Sequence, residues 1–207
     1  MRKPLVTLAV AAVAAVGLGM PPALAATATW TVTPGGDFSS LATTSLSDTT
    51  TGLKLVCPQS DSYGNFSHGS GLSNNIGGYE IGAPLCYPAK GGPGIAIGFQ
   101  GYAGPTIRAY SYEATTGQTA GRVKGVIMWL SGSGCTAQAA GPAAGAKASL
   151  RFTYTDSTGV LSVTSQPDLT LHNVSSECAG LLNINDGDSL SFHVSAAISP
   201  KQTITSP

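Results

Sequence analysis

The chain has 207 residues, ten basic and ten acidic, and a formal net charge of zero. Only 10% of its residues are charged, against about 25% in an ordinary soluble domain, while Gly, Ser and Thr contribute 27, 23 and 22 residues. The absence of a basic excess argues against nucleic-acid binding by counterion release, the 42% apolar content excludes charge-driven disorder, and the Glu, Lys, Arg and Leu that long helices need are scarce.

The first segment reads as an address. Arg2 and Lys3 precede an uncharged run over residues 4–20 rich in Ala, Val and Leu; Pro21 and Pro22 break it, and Ala23-Leu24-Ala25 offers small residues where a signal peptidase reads. Residues 1–25 are therefore expected to be a secretory signal. The apolar run is shorter than the about 20 residues of a spanning helix. No Cys lies beside the cleavage position, and no second run of spanning length follows. The expectation is a secreted, extracellular protein with no membrane insertion after cleavage, and a single β domain over residues 26–207.

From residue 30 onward the chain reads as strands and turns. A turn pattern recurs as Asp48-Thr49-Thr50-Thr51-Gly52, Glu113-Ala114-Thr115-Thr116-Gly117 and Asp156-Ser157-Thr158-Gly159. In each, short polar side chains can bond the local backbone and Gly takes the positive-φ position. These predict hairpins near 41–57, 106–130 and 150–164, and Asn185-Asp186-Gly187 suggests a fourth. The Gly- and Pro-rich residues 60–93 are expected to form a long irregular excursion. Residues 123–130 are more continuously apolar, as a central strand buried on both sides would be. Leu150, Phe152 and Tyr154 alternate with Arg151, Thr153 and Thr155, and Leu169 and Leu171 alternate with Asp168, Thr170 and His172. Leu190, Phe192, Val194, Ala196 and Ile198 form the longest alternating face. The Ala-rich stretch 137–148 is interrupted by Gly141, Pro142 and Gly145, and no window shows a helical stripe. Ten or so short strands predict one all-β fold, an antiparallel β-sandwich or barrel built from hairpins.

Four cysteines remain after the signal, at positions 57, 86, 135 and 178. An even number in an exported chain predicts two disulfides. Of the three connectivities, Cys57–Cys86 and Cys135–Cys178 are favoured, because each closes a moderate loop. A metal site is disfavoured: there is no C-x-x-C, and His68, His172 and His193 are not at ligand spacing from a Cys.

Candidate chemistry is sparse. Ser70 in His68-Gly69-Ser70-Gly71 and Ser133 in Gly132-Ser133-Gly134 are not nucleophile elbows, and such triplets arise by chance in a chain this rich in Ser and Gly. Glu80, between Tyr79 and Ile81, is the one acid in a strand-like setting; the other carboxylates fall mainly in turns. Asn183, Asn185, Asp186 and Asp188 surround Gly187 in an oxygen-rich loop, but the twelve-residue calcium loop with its terminal Glu is missing, so a plain turn is the favoured reading. No catalytic residue, metal or cofactor is assigned. The candidate ligand-binding residues are Arg108, Tyr110 and Tyr112, which would share one face of a strand over residues 106–112, beside Arg122 and Lys124. The competing reading is ordinary cross-strand packing. Asn65-Phe66-Ser67 and Asn173-Val174-Ser175 match glycosylation sequons.

Trp30-Thr31-Val32-Thr33-Pro34-Gly35-Gly36, the Asp48 to Gly52 turn leading into Cys57, Gly69-Ser70-Gly71-Leu72, Cys178-Ala179-Gly180-Leu181 and the ending Gln202-Thr203-Ile204-Thr205-Ser206-Pro207 resemble a family of small exported proteins of actinobacteria such as streptomycetes. The resemblance runs over the mature chain. It implies an exported, disulfide-bonded β protein and carries no catalytic assignment. The chain is also loosely similar to the two-disulfide β-sandwich apoproteins that carry enediyne ligands, although its cysteine spacings are wider. The leading expectation is a non-catalytic exported β protein that binds or coats at the cell envelope or in the medium. A small-molecule carrier with an apolar pocket and a secreted hydrolase are the alternatives. The expected partner is a cell-envelope component or a small ligand, not nucleic acid.

Overall fold

The computed structural model describes residues 29–99, 104–165 and 167–206, so the expected signal, residues 1–25, lies outside the described residues. Alternation of apolar and hydroxyl side chains builds strands almost throughout. In chain order they are β1 (Trp30–Thr33), β2 (Gly36–Asp48), β3 (Lys54–Phe66), β4 (Gly69–Leu72), β5 (Asn75–Ile81), β6 (Leu85–Pro88), β7 (Ile95–Phe99), β8 (Thr106–Glu113), β9 (Gln118–Val126), β10 (Met128–Gly132), β11 (Cys135–Ala140), β12 (Ala148–Thr155), β13 (Val160–Thr164) and β14 (Thr170–His172). A short helix α1 (Ser176–Leu182) precedes β15 (Leu190–Ala197) and β16 (Thr203–Thr205).

Eight antiparallel strands close a barrel in the order β3, β2, β15, β13, β12, β9, β8, β5, with β5 returning to β3 through pairs from Ser62↔Ile81 to Phe66↔Gly77. Closure leaves the barrel without an unpaired edge. β3 is forked. Its second half meets β5, while Leu55 and Val56 pair with Pro88 and Tyr87 of β6. From β6 the sheet continues through β7, β10, β11 and β14. It comes back to the barrel where Thr170 bridges Ser189 and Leu190 N donates to Leu169 O at 2.8 Å. β2, β3 and β15 therefore serve both walls.

A separate three-stranded sheet, β16–β1–β4, closes the barrel end where β9 begins and β12 finishes. There Thr119 Oγ1 donates to Ile204 O at 3.3 Å and Ile204 N donates to Asp156 Oδ1 at 3.2 Å. Trp30, Val32 and Ile204 are buried in the same core as Phe38, Phe66, Phe152, Tyr154 and Phe192. Aromatic pairs Phe38–Phe66 and Phe66–Tyr154 lie 5.1 and 6.2 Å apart. Some polar groups inside the wall are matched: Thr44 Oγ1 meets Ser60 Oγ at 2.6 Å, and Ser62 Oγ donates to the Tyr79 hydroxyl at 3.1 Å, whereas Ser40 Oγ and Asp48 Oδ2 are buried without a hydrogen-bond partner among the described residues.

Both favoured disulfides are present. Cys57–Cys86 ties β3 to β6 at the fork, and Cys135–Cys178 ties β11 to α1. Loops of these lengths contribute about 3 to 4 kcal/mol each in the chain-entropy model. Two disulfides suit an oxidising compartment. Among the described residues no helix is long and apolar enough to cross a membrane.

The three hairpins form where the turn pattern places them, at β2–β3, β8–β9 and β12–β13. In the first, Asp48 Oδ1 accepts from Thr50 N at 2.7 Å and Thr51 N at 3.0 Å. In the second, hydrogen bonds from Thr115 to Glu113 hold that carboxyl below its ordinary range. Other expectations need correction. Residues 60–93 are not an irregular excursion: they carry the end of β3 and all of β4, β5 and β6. Glycine here serves close packing, since a Cβ on Gly64 would strike the Gly78 carbonyl and one on Gly77 the Asn65 carbonyl. Residues 123–130 are not one strand, because the chain leaves β9 after Val126 and enters β10 at Met128, passing from the barrel to the second sheet. Asn185-Asp186-Gly187 turns between α1 and β15 and does not join two strands. The helix α1 arises without a helical stripe because Ser175 caps it by accepting from Cys178 N at 3.2 Å and the disulfide anchors Cys178.

Candidate functional site

Strand register decides what faces outward on the wall of β8, β9 and β12. Ile107, Val123 and Leu150 point inward and are fully buried, so their neighbours Arg108, Arg122 and Arg151 point out. These three are directly opposite one another across the strands: Arg108↔Arg122 and Arg122↔Arg151. They are all the arginines among the described residues. The row continues as Thr164 on β13, His193 on β15 and Ser45 on β2. Lys124 follows Arg122 on the same face, with Nζ 5.9 Å from the Tyr110 ring centroid. Arg108 Nε is buried and has no hydrogen-bond partner among the described residues.

β8 is interrupted by a bulge. Ala109 pairs with Gly121, but Ser111 pairs with Ala120, leaving Tyr110 as the extra residue. Gly121 permits this, because a Cβ there would strike Arg108 O and the Phe152 ring. Tyr110 is thrust outward and is 49% exposed. The bulge also overturns the expectation that Arg108, Tyr110 and Tyr112 share a face. Past it the alternation shifts by one, so Tyr112 lies opposite fully buried Thr119 and packs against the core, and Ser111 takes the outward position. A groove of about 570 Å³ runs between Tyr110, Ser111, Arg122, Arg151, Thr153 and Thr164, within the size range of ligand sites.

The wall of β2, β3 and β5 has the opposite character. Asp37, Asn65 and Gly78 form one register row, and Ser39, Tyr63 and Glu80 the next, with Asp61 beyond on β3. Asn65 Oδ1 accepts from Gly78 N at 2.8 Å. Burial first, and then the Glu80 charge and hydrogen bond, push the Tyr63 phenol up. Glu80 thus belongs to an exposed acidic wall.

The remaining candidates fall on separate elements. Ser70 stands on β4, Ser133 in the β10–β11 hairpin with φ 52°, and His193 on the outer face of β15. His68 Nδ1 bonds Pro34 O at 2.6 Å, and His172 Nε2 lies 2.8 Å from Gly141 O. The oxygen-rich loop is engaged in its own folding. Asn183 is the left-handed C-cap of α1, Asp186 Oδ1 accepts from Val174 N at 2.9 Å, and Asp188 Oδ2 accepts from Asn185 N at 2.7 Å. Among the described residues no three of His, Cys, Asp and Glu come together as a metal site. Comparison with known proteins returns no matching family model, no similar curated protein and no similar solved structure.

Proposed function

We propose that this is an exported, non-catalytic β-barrel protein that acts by binding a cell-envelope component through the outer wall of its barrel. The observation that carries this reading is the groove on β8, β9 and β12, lined by Arg122 and Arg151 and flanked by the exposed Tyr110 ring. The interior favours the same reading over a carrier. The barrel core is filled by Phe152, Tyr154 and Phe192, and the apolar gap between Leu46, Leu55, Leu130 and Leu190 is only about 10 Å³, no more than one water needs. The two disulfides and the composition of residues 1–25 support export.

The test fractionates the protein's own host. The expected result is a mature chain in the medium and envelope fractions whose amino terminus follows Ala25, retained by isolated envelope and released by salt. A full-length chain confined to the cytoplasm would refute export. A mature chain that isolated envelope does not retain would refute the binding part.

A further inference from the structure

We infer that the row Arg108–Arg122–Arg151 is a receptor for an anionic polysaccharide, one whose sugar units carry carboxylates; the inference rests on the outer-wall reading above. The chain is poor in charge, yet every arginine among its described residues stands in one cross-strand row. Like charges directly opposite one another destabilise a sheet. Interleaving them with the acids of the neighbouring wall would have made stabilising ladders. Instead Asp37, Asp61 and Glu80 sit together on β2, β3 and β5, while the outward positions flanking the row hold hydroxyls, alanine, Tyr110 and Lys124. The like-charged pairs Arg108↔Arg122 and Arg122↔Arg151 form a row that an external anion would relieve.

Geometry narrows the anion. Neighbouring strands lie about 4.8 Å apart, so three guanidinium stems span roughly 10 Å in a line, the reach of about two linked sugar rings. A guanidinium fork takes a carboxylate through two parallel hydrogen bonds. Arg122 and Arg151 line the groove itself, and Arg151 is exposed, while Arg108 lies at the end of the row. A sugar also needs a flat apolar face and hydroxyl partners. Tyr110, pushed out by the bulge, offers the ring, and Ser111, Thr153 and Thr164 offer the hydroxyls along the groove.

The test uses the disulfide-intact mature chain against three immobilised polymers of matched length: polygalacturonate, linear polyphosphate and neutral dextran. Binding to polygalacturonate that weakens steeply with salt is expected, with weaker retention on polyphosphate and none on dextran. Arg122→Gln should weaken binding at least about tenfold, the loss of its two parallel charge-assisted hydrogen bonds. Arg108, Arg122 and Arg151 all changed to Gln should abolish it, whereas all three changed to Lys should retain a weaker, salt-sensitive affinity because charge stays and the fork is lost. Lys54, Lys90 and Lys147 changed to Gln remove the same charge away from the row and should leave binding unchanged; equal loss in that variant would overturn the site. Polyphosphate bound as tightly as polygalacturonate would overturn the carbohydrate assignment. Envelope retention that survives the triple Gln variant would sink the row while leaving the proposed function standing. Polygalacturonate binding by a chain found full-length in the cytoplasm would sink export while leaving the row.

Discussion

At the barrel end closed by β1, β4 and β16, Gln202 is 1% exposed and each of its polar groups has a partner, whereas on the wall of β8, β9 and β12 three arginines stand opposite one another. Gln202 Oε1 accepts from Gly35 N at 2.8 Å and its Nε2 donates to Pro200 O at 2.8 Å. Its backbone N donates to the Tyr154 hydroxyl at 2.8 Å, and that hydroxyl donates back to Gln202 O at 2.9 Å. In a low-dielectric interior an unmatched polar group loses its full hydration, a cost that the matched groups of Gln202 avoid. On the wall, where Arg151 is exposed and Arg108 and Arg122 are partly so, water and salt weaken the repulsion and a mildly unfavourable pattern survives. The cap thus holds polar groups that folding has to match, while the outward positions of the wall are less constrained by the core.

Removing the cap's anchor breaks that comparison most directly. Trp30 is 2% exposed and packs into the common core. Trp30→Ala in the mature chain is expected to lower unfolding free energy by about 3–5 kcal/mol, read from the urea midpoint at constant slope. A loss below about 1 kcal/mol, within the range of ordinary surface changes, would show that the terminal sheet is an ornament on an independently stable barrel.

Tyr154→Phe tests the matched polar groups in isolation. It leaves the ring and strands Gln202 N and O, so a loss of about 1–3 kcal/mol is expected. The same residue sets an alkaline limit. Burial, opposed by the Gln202 bond, pushes the Tyr154 phenol from 10.0 up to about 12, and burial raises Tyr79 further, with Ser62 only partly relieving it. The folded chain therefore keeps protons that the unfolded chain has released. Stability from these groups is fully present below about pH 10 and falls as pH rises through the folded values. Thermal melts from pH 8 to 12 should decline above 10 in the native chain and decline less in Tyr154→Phe. An unchanged pH slope would remove Tyr154 from this account.

How far these features could be read in advance differs by element. Hairpins at Asp48–Gly52, Glu113–Gly117 and Asp156–Gly159 were legible, because a local turn pattern determines them. Cys57–Cys86 followed from loop size. Strands in residues 60–93 were obscured, because Gly64 and Gly77 are selected by a carbonyl from another strand, which no local propensity reports. The helix α1 was hidden for a similar reason: a single cap, a disulfide and one buried i, i+4 pair, Cys178 and Leu182, hold seven residues, too few to show a repeating stripe. At the candidate site, Arg108 and Tyr110 are visible in the sequence, whereas period two puts Tyr112 on the outward face and the bulge turns it to the core. Arg122 and Arg151 became part of the site only through register, which the two hairpin turns constrain but β9–β12 pairing completes.

The smallest expected change is the sharpest probe of the wall. Arg122 is the middle of the row and faces a like charge on each side. Arg122 is half-buried, and replacing a surface residue away from the core normally shifts stability by no more than about 0.5 kcal/mol in either direction. Here the electrostatic part has a sign: removing the central charge relieves two repulsions, each worth a few tenths of a kcal/mol. Arg122→Gln is therefore expected to hold or slightly raise the melting temperature at low salt, with the difference from the native chain shrinking as salt rises. A screened repulsion has that signature, and lost packing does not. If Arg122→Gln instead lowers the melting temperature by the same amount at every salt concentration, the guanidinium stem is serving the sheet, and the contrast between a stabilising cap and a recognition wall fails at its central residue.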